Sequence, residues 1–231
     1  MANRIPHHFL EAPKETLSVS FSDFATGKGV IELFLGQVSD GNRMSPTAWY
    51  GHKIFVRGLS TSGGTDTKVI DEDFDLDFRK NITIEGEAIF QVPAGATSDT
   101  DGHAFEQYTI VKVRKWDGTT ETDIISKTGD TKTNSLGKDN NLLWMDSLSL
   151  TIPKTSFKNG ESLRITIESW QKKTSGSGST QGVLCCDPKG RLVSPLENYE
   201  EWDIGTAGRE IDFTQHNSPV TICLAQIPVK I

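Results

Sequence analysis

The chain has 231 residues and a formal net charge of −7, with 24 Lys and Arg against 31 Asp and Glu, 35% hydrophobic residues and 3 Cys. That balance speaks against a phosphate backbone as the main partner, and no run approaches the ~20 apolar residues of a membrane-spanning helix. Three cysteines, two of them adjacent at Cys185 and Cys186, are too few and too clustered for a disulfide scaffold, whereas 11 Phe and 5 Trp suffice to seed a core.

Residues 1–15 hold Pro6 and Pro13 and the spaced apolar side chains Ile5, Phe9 and Leu10, with no strand pattern, and read as an extended N-terminal arm. The start lacks the apolar core of a secretory signal, so synthesis in a cytoplasm with reduced thiols is expected. Residues 16–231 read as one domain, because strands resume with the same period after every polar break.

Period two dominates from there on. Residues 16–21 put Leu17, Val19 and Phe21 on one face, and residues 30–35 form a denser apolar run. Residues 53–57 form a short strand ending at Gly58; residues 74–78 alternate Phe and Leu with Asp75 and Asp77. Residues 82–92 are long enough to bend, and Gly86 is the expected bend point. Residues 105–116 alternate up to Trp116, Asp117-Gly118 supplies a hairpin turn, and residues 122–125 return. Residues 142–152 precede an Asn159-Gly160 turn, which feeds Leu163, Ile165 and Ile167 in the cleanest alternation of the chain. Residues 181–186 and 220–229 complete the set. The glycine- and serine-rich stretches 60–67 and 174–180, and the polar stretch 188–219, read as loops. No helical period is sustained. The fold class expected is all-β: a single antiparallel β-sandwich of jelly-roll type with long loops and an N-terminal arm.

Candidate chemistry is sparse. Asp71, Asp73, Asp75 and Asp77 are the densest acidic cluster, but alternate strand residues stand roughly 7 Å apart, too spread to wrap one cation. Neighbouring cysteines on a strand point to opposite faces, and no Cys-x-x-Cys is present, so no metal is expected. There is no Gly-x-Ser-x-Gly elbow and no phosphate-cradling glycine loop, and no cofactor, catalytic residue or nucleic-acid site is assigned. Trp144 and Trp170 read as core side chains. Trp49 and Tyr50, in a segment rich in Gly and Pro, read as contact residues for a glycan or a protein partner.

One resemblance joins these readings. Ile152-Pro153, then Phe157, Asn159-Gly160-Glu161 and the alternating strand to Ile167 look like the late strands of viral jelly-roll proteins. Asp187-Pro188-Lys189-Gly190-Arg191 followed by 224–229 is similar to minor capsid or vertex (penton-like) proteins of tailless icosahedral viruses. The resemblance implies a structural component of the virion that associates with itself and with other capsid proteins, and it carries over no site residue. The expectation is therefore a non-enzymatic assembly protein. The possible contact residues are Ile5, Phe9, Leu10, Trp49 and Tyr50; a glycan- or receptor-binding sandwich is the alternative, and a hydrolase or isomerase built on a β-sandwich is a third, less favoured reading.

Overall fold

Alternating side chains and tight turns make one long antiparallel ribbon that wraps on itself. The computed structural model describes residues 17–18, 28–38, 41–49, 55–98, 103–136, 141–188 and 222–230. These carry thirteen strands: β1 (Leu17–Ser18), β2 (Lys28–Val38), β3 (Gly41–Ser45), β4 (Phe55–Thr61), β5 (Thr67–Asp77), β6 (Ile82–Ser98), β7 (His103–Trp116), β8 (Glu121–Thr128), β9 (Lys132–Leu136), β10 (Asn141–Phe157), β11 (Ser162–Ser175), β12 (Thr180–Cys185) and β13 (Cys223–Lys230).

The pairings are nested. β2 pairs with β13, β4 with β12, β5 with β11, β6 with β10, and β7 with β8 and β9. Wrapping this ribbon brings β13 beside β6 and β11 beside β7. The result is two facing sheets, β2-β13-β6-β10 and β5-β11-β7-β8, which is a jelly roll. Beyond the reach of β13, β12 takes its place along β6 and carries β4 at its outer edge. One pairing departs from the expected antiparallel pattern. β3 meets β5 in parallel at Arg43 and Asp75, and this single bridge joins the two sheets.

The core is where the alternation puts it. Leu33 and Leu35 of β2, Phe74 of β5, Phe90 of β6, Val111 and Val113 of β7, and Leu163, Ile165 and Ile167 of β11 are all buried between the sheets. Gly86 adopts φ +127°, as its place at a bend demands. Opposite it, Pro228 lacks an N–H, and the β13–β6 register shifts between Gln226 and Val229. Gly118 and Gly160, at φ +95° and +88°, make the two expected hairpin turns.

A smaller apolar cluster of Ala96, Phe105 and Leu136 sits toward the other end, with Leu142 and Trp144 against it. Along β7, the inward residues Gln107 and Thr109 separate Phe105 of that cluster from Val111 of the main core. Gln107 is completely buried and ties the layers together. Its Nε2 donates to the Gly95 carbonyl at 2.9 Å and to Ser169 Oγ at 2.8 Å. Gln171 Nε2 donates to Gln107 Oε1 at 2.6 Å, and Thr180 Oγ1 donates to Gln171 Oε1 at 3.2 Å.

Several boundaries differ from the sequence expectation. The 60–67 and 174–180 loops shrink, because β4 and β5 extend to Thr61 and from Thr67, and β11 runs on to Ser175. β3 and β9 were not expected: Gly-Asn-Arg-Met-Ser and Lys-Thr-Asn-Ser-Leu carry no apolar alternation, and strand pairing plus one buried side chain each, Met44 and Leu136, holds them. The arm, with Ile5, Phe9 and Leu10, and most of the 188–219 stretch lie outside the described residues.

Candidate functional site

The two outward faces of the sandwich are chemically opposite, and that contrast locates the candidate site. On β11 the even-numbered residues point away from the core. Across β5, β11 and β7 they form the rows Asp75–Arg164–Arg114, Asp73–Thr166–Lys112 and Lys68–Trp170–Tyr108. Arg164 donates from Nε and Nη2 to the two oxygens of Asp75 at 2.7 and 2.8 Å. Its guanidinium lies 4.6 Å from the centroid of the Trp116 ring. Glu121 accepts from Arg164 Nη1 at 3.2 Å and from Arg114 Nη1 at 2.8 Å. Ser162 donates to Asp77 at 2.6 Å, and Thr166 to Asp73. Asp73, Asp75 and Asp77 are thus each met by a β11 side chain, while Asp71 pairs with Lys68 of its own strand, and among the described residues no group of three or more His, Cys, Asp or Glu is placed to hold a metal.

Trp170 is not a core residue. It sits half-buried on this outer face, stacked parallel to Tyr108 with ring centroids 6.4 Å apart. Even numbering along β11 puts it there, on the side of Arg164 and Thr166. Its indole donates at 2.9 Å to Glu168, which also receives Lys112 at 2.6 Å and Lys68 at 3.3 Å. Glu168 is only 3% exposed. Burial acts to raise its pKa; the bonds from Lys112 and Trp170 and the charge of Lys112 outweigh it, and the carboxyl titrates below its usual 4.5. A depressed folded-state pKa means stability that is present above the unfolded value and lost as pH falls through the folded one. Glu168→Gln should therefore be less stable than wild type at pH 7, and the gap should close as the pH drops below about 4.5. Urea titrations at pH 7, 4.5 and 3 measure this, and a gap independent of pH would remove the ionised pair as its cause.

The outer face of β2-β13-β6-β10 carries few charges at its centre. Registered side by side are Phe34 with Leu224, Glu32 with Gln226, and Val30 with Pro228; Gln226 stands opposite Ile89 on β6. Val30 and Ile89 are 37% and 41% exposed. Gln226 Nε2 donates to Glu32 at 3.3 Å, and Ser149 at the β10 edge donates to Glu87. Beside this apolar centre lies Trp49. A Cβ at Gly36 would come within 2.9 Å of Trp49 Cζ2 and 2.4 Å of Pro188 Cγ, so both rings rest directly on the β2 backbone. Trp49, expected as a contact residue, is half-buried, and its indole N–H is enclosed with no acceptor among the described residues. Tyr50 lies outside the described residues.

Sequence reasoning read residues 30–35 only as a dense apolar run and so missed this face. The usable signal was that Val30, Glu32 and Phe34 share one side of β2. The three cysteines are buried, as the apolar reading of them required. Burial, with Asp187 nearby, pushes the Cys185 thiol up to about 12, so it stays protonated and inert.

No protein-family model and no curated protein matches the chain. Solved structures do. An aminopeptidase from a marine sediment archaeon, Thaumarchaeota archaeon, superposes with TM-score 0.51 at 7% identity, over 87% of this chain and 37% of that one. An α-amino acid ester hydrolase gives TM-score 0.50 at 9% identity, over 86% and 36%. The fold is shared; the present chain spans little more than a third of those proteins. The VP2 subviral particle of infectious bursal disease virus gives TM-score 0.31 at 12% identity, over 88% and 36%. The likenesses with the higher TM-scores are to the two hydrolytic enzymes.

Those likenesses correct the expectation of a non-enzymatic chain. Its basis was the absence of local motifs. Catalytic groups are brought together from distant points of a sequence, so a missing local motif does not exclude an enzyme.

Proposed function

We propose that the protein is a packing subunit, a jelly roll that associates with further copies of itself through the outer face of β2-β13-β6-β10, as a structural component of a virus particle. The observation that carries this reading is the contrast between the faces. The β5-β11-β7-β8 face is saturated by its own ion pairs, while the opposite face presents Val30, Phe34, Leu224, Pro228 and Ile89 with its few carboxylates already bonded. A surface with an apolar, nearly neutral centre can meet a copy of itself without burying like charges. Among the described residues β10 pairs with β6 only, so its other edge, beside this face, offers backbone donors and acceptors for a neighbour. The virus assignment draws on the sequence resemblance and on the jelly-roll topology.

Ile89→Lys tests it. Wild type should sediment as an oligomer and the variant as a smaller species, since each apolar side chain buried at a contact contributes about 1.5–3 kcal/mol. The melting temperature extrapolated to low concentration should barely move, because Ile89 is exposed within the chain. A monomeric wild type, or a variant with unchanged sedimentation, would remove the reading.

The hydrolase likenesses support a second reading, in which this jelly roll belongs to a hydrolytic enzyme. Release of product from amino acid esters or aminoacyl anilides by the purified chain, or by a complex containing it, would favour that reading over the first.

A further inference from the structure

At one end of the sandwich, the turns 78–81 and 158–161 meet the last residue of β13. Phe78 N–H bonds to the Glu161 carbonyl at 3.0 Å and Gly160 N–H to the Phe78 carbonyl at 2.8 Å, which holds the two turns together. Between them and β13 lies a depression of about 480 Å³ lined by Lys154, Lys158 and Lys230, with Asn81, Thr83 and Ser156.

Each lysine is placed by a specific feature of the backbone. Lys154 sits in the bulge where the β10–β6 register shifts between Ile152 and Thr155. Lys158 opens the Asn-Gly turn, and its backbone N–H is fixed by Glu161 at 2.7 Å. Lys230 is the last paired residue of β13 and stands opposite Thr83.

On the β5-β11-β7 face several basic side chains are used up in ion pairs: Lys68 and Lys112 with Glu168, Arg164 with Asp75, Lys172 with Glu106. In the depression Lys230 is paired with Glu85 at 2.8 Å, and Lys158 lies close enough to Glu161, itself ion-paired to Lys115, to feel its charge; Lys154 has no carboxylate partner among the described residues. Arg79 and Lys80, both exposed, extend the positive charge along the adjoining turn. In a chain of net charge −7 this is a local reversal of sign. Neutral donors face the same space. Thr83 and Ser156 hydroxyls lie 3.0 Å apart, and Asn81 accepts the Asn159 N–H at 3.1 Å through its carbonyl oxygen, which leaves its amide hydrogens to donate.

We infer that this depression binds a tetrahedral oxyanion, the phosphoryl or sulfuryl group of a ligand. Ammonium groups act as point charges with rotatable donors, and a cleft lined by one sign of charge concentrates counter-ions of the other. Three such groups approaching from a bulge, a turn and a strand end, with hydroxyl donors beside them, suit an anion whose oxygens point out of one plane better than a flat carboxylate. The inference does not depend on the packing reading, since Ile89→Lys leaves every residue of the depression in place.

The experiment is a 15N-amide titration of the full chain with inorganic phosphate at constant ionic strength. Melting temperature alone would mislead, because phosphate as an excluded salt stabilises folded proteins in general. Saturable shifts confined to amides around Thr83, Asn159 and Lys230 are expected. The double substitution Lys154→Gln with Lys158→Gln should weaken the apparent affinity about tenfold or more, the equivalent of roughly 1.4 kcal/mol. Lys127→Gln, an exposed change on β8, should not alter it. Sulfate should saturate the same amides, and acetate should not. Shifts that rise linearly without saturating, shifts unchanged in the double variant, or acetate binding as well as phosphate would each overturn the inference.

Discussion

Ile165→Ala should lower the unfolding free energy by about 2–5 kcal/mol, the range for deleting a large aliphatic side chain from a closed core. Ile165 is fully buried in the middle of β11, with Phe74 of β5 beside it on one side and Val113 of β7 on the other. Both neighbours belong to ladders that continue past the site in each direction, so they cannot close over the space left behind. The comparison that gives the result meaning is Arg164→Ala on the opposite face of the same strand. On alternation alone, truncating an outward-facing residue of β11 would cost little unless that face lay in a subunit contact. The structure raises the expectation to about 1–3 kcal/mol, because it would remove a bidentate bond to Asp75, the shared bond to Glu121 and the contact over Trp116. Urea denaturation of the two variants with unchanged m-values gives the ordering directly. An Arg164→Ala cost exceeding that of Ile165→Ala would mean that β11 is out of register by one residue.

Gln107→Leu should cost about 3 kcal/mol, although it inserts an apolar side chain of similar size into the interior. The loss comes from the groups left behind. The Gly95 carbonyl and Ser169 Oγ lose a donor, and Gln171 Nε2 loses its acceptor, each away from water. A stranded buried polar group carries about 1–3 kcal/mol, and neighbours in one network do not add simply. The corollary separates this cause from packing. Adding Gln171→Leu removes the stranded Gln171 amide but takes the acceptor from the Thr180 hydroxyl, so the double variant should lose clearly less than the sum of the two single losses. Chemical denaturation of both single variants and the double gives the coupling energy. A double variant whose loss relative to wild type equals the sum of the two single losses would show that the two glutamines act independently and that volume, not unsatisfied bonding, sets the cost.

Much of the fold was legible because a strand's two faces are a local property. The alternation at Phe74, Leu76 and Phe78, and at Leu163, Ile165 and Ile167, assigns inside and outside without knowledge of any partner, and all six are buried. Asp117-Gly118 and Asn159-Gly160 mark turns for an equally local reason, since their glycines adopt the positive φ such turns require. The same rule extended two residues beyond Glu168 would have placed Trp170 outside; reading it as core followed its size instead of its position. β3 and β9 were invisible because their pairing comes from neighbours and not from their own composition.

What the sequence by itself determined, then, is the all-β class, the inward set of the long strands and the sites of the tight turns. The candidate surfaces were decided only by tertiary structure. Asp75 and Arg164 are 89 residues apart and meet because β5 pairs with β11. The apolar centre of the second face exists because β13 crosses to lie between β2 and β6, setting Leu224 and Pro228 beside Phe34 and Val30. Lys154, Lys158 and Lys230 converge because a bulge, a turn and a strand end fall at the same corner of the sandwich. Period and turn propensity act over a few residues and are written in the local sequence. Which ribbons close against which is set by the collective burial of both sheets, and no short stretch of the chain records it.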